Sequence, residues 1–98
     1  MTAAFLGVDI GTSGLKLIVV DDTGTVLARA SASYSSSSPS AGWVEQDPRA
    51  WVEGLGDALA AIDPTIRGQI CAVAAVGHVP TLVLVDADGS AVRPAITW

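Results

Sequence analysis

Apolar and polar residues follow each other along the chain in a pattern that predicts several short strands and one helix. Residues 5–10 and 15–20 are apolar runs that favour strands, and residues 25–32 alternate in part between β-branched and small residues. Gly, Ser, Thr and Asp separate these runs and supply turn chemistry. Residues 5–32 therefore predict a three-stranded antiparallel meander.

A helix is predicted after a polar segment. Residues 31–40 are dominated by serine, which favours a surface loop or a ragged strand end. Asp47-Pro48 is a helix start signal, because the Asp side chain accepts from free N–H groups and Pro tolerates the first helical position. Asp63-Pro64 ends the pattern. Between these signals, apolar residues spaced by three or four form one face that should dock on the sheet: Trp51, Leu55, Leu59 and Ile62.

The remainder of the chain predicts one more strand and a hairpin. Residues 70–77 are apolar throughout, as in a parallel strand covered on both faces after a helical crossover. Cys71 lies in this run and is the sole cysteine, so we expect a buried thiol without a disulfide or redox role. Residues 82–85 and 91–96 flank a turn at residues 86–89 and predict a hairpin. The fold class is therefore α/β, a mixed sheet with a helix on it.

The composition and net charge argue against some classes of binding partner. The chain has 98 residues, half of them hydrophobic, which suits one small ordered domain or part of a larger one. A net charge of −5 without a basic cluster argues against nucleic acid. No apolar run reaches the length of a membrane span, and the start lacks the basic region of a signal peptide. We expect a soluble, cytoplasmic protein with no membrane partner.

The segment DIGTSGLK, residues 9–16, carries the sharpest chemical signal. An acid at the end of a buried strand precedes a turn bracketed by two glycines and containing two hydroxyls. Glycines allow close approach of a ligand, and successive N–H groups in such a turn form an anion-binding concavity. The acid, Asp9, could hold Mg²⁺ beside a bound phosphate, and Lys16 could add positive charge.

The same segment is also compatible with an ordinary hairpin in which Asp9 only hydrogen-bonds the turn. It is not a Walker motif, because that pattern ends in Gly-Lys-Ser/Thr and leads into a helix, whereas a strand follows here. A phosphate-binding hairpin between two antiparallel strands instead resembles the arrangement in the actin and hexokinase superfamily.

Four motifs in order resemble landmarks of the FGGY carbohydrate kinases, xylulokinase-like members especially. They are VDIGTS with Lys16, GWVEQDP at residues 42–48 with Trp51, LVLVDADG at residues 82–89, and RPAITW at residues 93–98. The resemblance implies that residues 1–98 are the amino-terminal, incomplete part of the first kinase domain. It also implies a partial ribonuclease H-like (actin-like ATPase) fold: the meander, the helix, the parallel strand and the hairpin.

The resemblance also implies a function and site residues. The γ-phosphate of ATP would pass to a hydroxyl of a sugar or polyol. Asp9 would position Mg²⁺, and the turn would contact the phosphates through Gly11, Thr12, Ser13 and Gly14. The catalytic base of the family is an Asp far beyond residue 98, so this chain alone should be inactive. Family members are often dimeric, but the oligomeric state here stays open.

One stretch departs from the family. Xylulokinases carry a Met-His pair at the sugar, and glycerol kinases an Arg-Glu pair, at the two positions that are here Val79 and Pro80. Neither side chain can hydrogen-bond a hydroxyl. His78 is therefore the nearest polar candidate for the substrate, although a histidine after an apolar strand is commonly structural.

Other aromatic and acidic residues have two interpretations. Trp43 and Trp98 could line a sugar cleft or simply pack, whereas Trp51 is assigned to the core. Glu45 and Asp47 could act as paired carboxylates, but we favour a helix cap for Asp47 and solvent exposure for Glu45.

Two other functions remain open from the sequence. Another actin-like ATPase, such as a glucokinase-type sugar kinase, would share the first hairpin but not residues 42–48. A non-catalytic nucleotide-binding module would keep the fold without turnover.

Overall fold

The computed structural model of the chain describes residues 2–97. Its secondary structure begins with three strands, and the helices lie between two later strands. The elements are β1 Ala4–Ile10, β2 Gly14–Asp21, β3 Val26–Ser33, β4 Glu45–Gln46, α1 Pro48–Ala60, α2 Pro64–Arg67, β5 Ile70–Gly77 and β6 Ala95–Ile96.

The main sheet is mixed and has the strand order β3-β2-β1-β5. β1 pairs with β2 and β2 with β3 in antiparallel fashion, which confirms the predicted meander. β5 runs parallel to β1, with Ile10 opposite Gly77 at their shared carboxyl end. The predicted parallel strand after the helix is thereby confirmed, and the fold class is α/β.

The core lies between α1 and one face of the meander. Alternate residues of β1 and β2 are buried, as a half-covered antiparallel pair requires. Helix α1 packs across β2 and β3. The residues that form this core are Ala4, Leu6, Val8, Leu15, Leu17, Val19, Ala58 and Ile62.

Helix α1 begins as predicted, because the side chain of Asp47 accepts a hydrogen bond from the backbone N–H of Arg49. The predicted apolar face docks on the sheet, although small residues make the closest approach. Gly54 and Ala58 are the buried residues of the helix. A Cβ at Gly54 would lie 3.3 Å from both the Leu15 and Ala32 side chains, so a larger residue would push the helix away from the sheet.

The chain does not run straight from α1 into β5. Asp63 caps a second, short helix, α2, by accepting from the N–H of Thr65. The Asp63-Pro64 pair therefore not only ends the pattern of α1, as predicted, but also starts a helix, for the same reason that Asp47-Pro48 does. Within the described part of the chain, no helix is long and apolar enough to cross a membrane.

Strand β5 corrects two expectations. Its residues after Ile70 are exposed, so the elements of residues 2–97 do not cover the strand on both faces. It is an edge strand of the four-stranded sheet. Helix α1 packs over β2 and β3, which lie toward the opposite edge, and so does not cover β5. Cys71 is consequently exposed rather than buried, and its thiol donates to the Ala4 carbonyl oxygen at 3.3 Å.

The predicted hairpin near the carboxyl end is present in reduced form. Leu82 pairs with Ile96 and Val85 with Ala91 through isolated bridges, around a turn in which Gly89 has a positive φ of 82°.

β6 then pairs with β4 in a two-stranded sheet. Glu45 of β4 is buried there and forms an ion pair with Arg93, which corrects the expectation that Glu45 faces solvent.

Candidate functional site

The turn between β1 and β2 gathers the predicted nucleotide-binding residues around one cavity. The N–H of Gly11 donates to the carbonyl oxygen of Gly14 at 2.9 Å and closes a tight loop, which we call the glycine loop (residues 11–14). A Cβ at Gly14 would lie 2.4 Å from the Ala32 carbonyl oxygen, so β3 leaves room only for glycine. The cavity has a volume of about 370 Å³. Its lining contains Asp9, the glycine loop, Lys16 and residues 31–33.

The carbonyl groups of the glycine loop are held from the protein side. The Gly11 carbonyl oxygen accepts from the Tyr34 hydroxyl, and the Thr12 carbonyl oxygen accepts from the Gln46 amide at 2.6 Å. The Ser13 carbonyl oxygen accepts from the Tyr34 N–H at 3.2 Å. These three bonds determine the orientation of three successive peptide units.

The same bonds determine where the loop N–H groups point. In a trans peptide the C=O and the following N–H are directed oppositely, so a carbonyl held toward Tyr34 or Gln46 turns the next N–H away from them. Thr12 and Ser13 both line the cavity. Among the described residues, no acceptor takes a hydrogen bond from the Thr12 or Ser13 N–H. The arrangement therefore suits an anionic ligand with several oxygens.

The charged residues of the site are exposed and face each other. Asp9 lies opposite Lys16 in the β1/β2 ladder. No hydrogen bond or ion pair within residues 2–97 engages the Asp9 carboxylate, so it is not the internal partner of the turn that the plain-hairpin interpretation required. Burial and the charge of Asp9 raise the pKa of Tyr34, which places that carboxylate within electrostatic reach of the loop.

One acidic residue of the site, Asp9, could serve as a metal ligand. No group of three or more His, Cys, Asp or Glu residues in the described chain could hold an ion without further ligands. Asp9 offers a single carboxylate next to a cavity suited to phosphate. That combination matches Mg²⁺, which protein sites usually share between one or two carboxylates, substrate phosphates and water.

His78 lies beside the glycine loop, at the carboxyl end of β5. Its backbone N–H donates to the Ile10 carbonyl oxygen at 3.1 Å, which continues the β1/β5 pairing up to the loop. Its Nδ1 is 2.8 Å from the Thr81 hydroxyl, and its ring meets Trp51 edge to face with centroids 5.7 Å apart. Ligands of open α/β sheets bind at this end of parallel strands.

The other two substrate candidates present apolar surface. Val79 is 84% exposed, and Pro80 beside it is exposed as well. They follow His78 directly, so the three residues form one short segment at the carboxyl edge of the sheet. The structure thus brings both sets of predicted residues to the same edge.

The burial of the tryptophans differs from the expectation that Trp51 is a core residue. Trp51 is only half-buried, and its indole N–H donates to the side-chain oxygen of Gln46 at 2.9 Å, so it does more than fill the core. Trp43 is 59% exposed and borders a small cavity next to the Glu45–Arg93 ion pair. Trp98 lies outside the described residues.

The sequence does not predict the support that three residues give the loop: Tyr34, Gln46 and Trp51. Tyr34 is the single aromatic residue within a serine-rich segment, a feature that could have marked it as anchored. Gln46 lies within the GWVEQDP motif, but its contact with the loop has no local signal, because it stands 34 residues from the carbonyl group that it binds.

Comparison with known proteins gives a consistent result. The model of the FGGY family of carbohydrate kinases, N-terminal domain, matches residues 4–98. The xylulose kinase of Staphylococcus xylosus is 36% identical over 97 residues, covering 98% of this chain and 20% of the relative. That of Streptomyces coelicolor is 40% identical over 94 residues, covering 95% and 19%.

Solved structures agree with the sequence comparison. The xylulose kinase of Rhodospirillum rubrum superposes with a TM-score of 0.84 at 34% identity, covering 96% of this chain and 20% of that protein. A glycerol kinase of Plasmodium falciparum reaches a TM-score of 0.80 at 16% identity, covering 99% and 20%, and supports the fold alone. The chain spans about a fifth of the length of the relatives that it matches. Its sheet and helices are part of an actin-like ATPase fold, and the chain belongs to the FGGY family of carbohydrate kinases.

Proposed function

We propose that the protein carrying this chain transfers the γ-phosphate of ATP to a hydroxyl of a sugar or polyol. The observation that carries the proposal is the glycine loop: its Gly11, Thr12 and Ser13 carbonyl oxygens accept hydrogen bonds on one side, and the N–H groups of Thr12 and Ser13 are left for a ligand on the other. Family membership supports the reaction class. Similarity to xylulose kinases favours a ketopentose as the acceptor.

In this proposal the glycine loop and the adjacent ends of β1 and β2 hold the nucleotide. The N–H groups and hydroxyls of Thr12 and Ser13 contact phosphate oxygens, Gly11 and Gly14 permit the close approach, and Lys16 adds positive charge. Asp9 holds Mg²⁺, which supplies charge neutralisation at the phosphates when bound. Phosphoryl transfer depends mainly on such positioning and charge stabilisation, so these residues act without forming a covalent bond to substrate.

The acceptor side is proposed to lie at His78, Val79 and Pro80. His78 supplies the polar contact of this segment, and Val79 and Pro80 supply apolar surface that suits the C–H faces of a sugar. Because the latter two cannot hydrogen-bond through their side chains, we propose that the hydroxyl pattern is recognised partly by other segments of the protein.

The chain by itself is proposed to bind nucleotide without turning it over. Residues 1–98 would be the amino-terminal part of the first kinase domain, and the base that deprotonates the acceptor hydroxyl would come from a segment beyond residue 98. We also propose a cytoplasmic location, where ATP and sugars are both available.

The proposal is tested by kinetics and calorimetry on the complete polypeptide that contains this chain. ADP release from MgATP should require a sugar, with ketopentoses preferred within a panel of pentuloses, hexuloses and polyols. Binding of ATP without sugar-dependent ADP release would instead identify a non-catalytic nucleotide-binding module.

Asp9→Asn tests the magnesium role directly. The substitution keeps the size of the side chain and removes its charge, so the part of ATP affinity that depends on Mg²⁺ should fall about tenfold or more. Asp22→Asn is the matched control, because Asp22 is exposed in the turn at the far end of β2. Undiminished magnesium-dependent binding in Asp9→Asn would remove Asp9 from its proposed role.

A further inference from the structure

Gln46 is a buried polar side chain that binds the glycine loop from outside the nucleotide cavity. It is 3% exposed, and its amide nitrogen donates to the Thr12 carbonyl oxygen at 2.6 Å and to the Ser36 hydroxyl at 2.9 Å. Its amide oxygen accepts from the indole N–H of Trp51 at 2.9 Å. Every polar atom of the side chain is therefore engaged.

The partners of Gln46 determine its orientation without ambiguity. An indole N–H can only donate and a backbone carbonyl can only accept, so the amide oxygen must face Trp51 and the amide nitrogen must face Thr12. Trp51 belongs to helix α1, which is packed on the sheet. The helix thus holds the glutamine, and the glutamine holds the loop.

Holding the Thr12 carbonyl has a consequence inside the cavity. The Thr12 C=O and the Ser13 N–H belong to one planar peptide unit and point in opposite directions. As long as Gln46 binds the carbonyl, the Ser13 N–H is turned away from Gln46 and toward the cavity that Ser13 lines. If that bond is lost, the Thr12 carbonyl no longer has a donor that holds it on this side, and the direction of the Ser13 N–H group is less well defined.

We propose that Gln46 is a positioning residue for nucleotide binding, locked by Trp51 and acting through the Thr12–Ser13 peptide. The proposal rests on the function proposed above, because it assumes that the cavity takes the phosphates of MgATP. It adds a residue that touches neither nucleotide nor metal and that nevertheless sets the affinity for the phosphates.

Gln46→Glu tests this role through pH. At a pH where the introduced carboxyl is ionised it cannot donate to the Thr12 carbonyl, so the Kd of MgATP should rise about tenfold, the effect of one lost hydrogen bond in a buried site. Protonation restores a donor, because a neutral carboxyl can donate to Thr12 while accepting from Trp51. The ratio of mutant to wild-type Kd should therefore shrink as the pH is lowered through the pKa of the introduced carboxyl, which burial raises above its ordinary value.

The complete polypeptide also gives a kinetic test that a merely structural role would not pass. Gln46→Glu should raise the KM for MgATP while leaving the KM for the sugar near its wild-type value. Gln69→Glu, at the chain's other glutamine, makes the same chemical change at the opposite end of β1, where the Gln69 carbonyl pairs with Ala4. It should leave both constants and their pH dependence unchanged.

Trp51→Phe provides a second, milder variant. It keeps an aromatic ring against His78 but removes the N–H that orients Gln46, so the Kd of MgATP should rise a few-fold and without the pH dependence of Gln46→Glu. Wild-type protein that binds MgATP, together with both variants binding as tightly as wild type at all pH values, would overturn the positioning role alone. Wild-type protein that does not bind MgATP would overturn the nucleotide function as well.

Discussion

The Tyr34 hydroxyl donates a hydrogen bond to the Gly11 carbonyl oxygen, with the two oxygen atoms 2.5 Å apart. The bond spans 23 residues of sequence and joins the end of β3 to the turn after β1. Burial raises the pKa of the phenol, and the negative charge of Asp9 raises it further above its ordinary value of 10.0. Tyr34 therefore reports both the packing of the glycine loop and the charge beside it.

We expect Asp9→Asn to lower the pKa of Tyr34 toward 10.0, because it removes the charge but not the burial. Tyr34 is the sole tyrosine of residues 1–98, so in a titration of this segment by itself the ultraviolet absorbance of tyrosinate measures this one group. Asp22→Asn should leave the titration unchanged. An identical curve for Asp9→Asn and wild type would show that the Asp9 carboxylate does not act on the loop.

The same shift predicts how stability depends on alkaline pH. A pKa raised in the folded state means that folding favours the neutral phenol, so the contribution of Tyr34 is complete below about pH 10 and is lost as the pH rises through the folded value. Tyr34→Phe should be less stable than wild type at neutral pH, and the difference should narrow at alkaline pH. Thermal unfolding followed by circular dichroism over this range gives the comparison.

Two glycines should respond in opposite ways to the same substitution. Gly14→Ala puts a methyl group 2.4 Å from the Ala32 carbonyl oxygen, so we expect it to cost about 1–3 kcal/mol in the free energy of unfolding. Gly56→Ala meets no atom within 4 Å on helix α1 and should add about 0.5–1 kcal/mol. Urea unfolding measures both, and equal effects of the two changes would contradict the close contact of β2 and β3 at Gly14.

The ion pair between Glu45 and Arg93 should couple the two-stranded sheet to the hairpin segment. Arg93→Met leaves a largely buried carboxylate without its counter-charge, at an expected cost of about 1–3 kcal/mol. Adding Glu45→Gln neutralises that carboxylate and should recover part of the loss. A double-mutant cycle by urea unfolding measures the coupling, and additivity of the two changes within about 0.5 kcal/mol would show that the pair contributes little.

Local sequence accounted for the parts of the fold that depend on near neighbours. The alternating and apolar runs predicted β1, β2 and β3, because burial of one face of a strand imposes a period of two. Asp47-Pro48 predicted the start of α1, since a cap needs only residues within one turn. The same local chemistry operates at Asp63-Pro64, which ends one apolar pattern and starts α2, although the prediction contained only the end.

Burial was predicted less well, because it depends on which elements cover each other. The apolar composition of β5 indicated a covered strand with Cys71 inside, yet its place at the sheet edge leaves both exposed. Glu45 was assigned to solvent from its charge alone, yet Arg93 comes near it through the pairing of β4 with β6. No local rule joins residues so far apart in the chain.

The amino-acid sequence by itself determined that an acid, two glycines and two hydroxyls follow one another after a buried strand, since that order is a local property. Only the tertiary structure decided which way the loop faces. Tyr34 and Gln46 reach the loop carbonyls from 23 and 34 residues away, and those contacts exist only once β3 and α1 have packed on the sheet. Because a peptide unit is planar, binding each carbonyl on one side leaves the next N–H directed to the other.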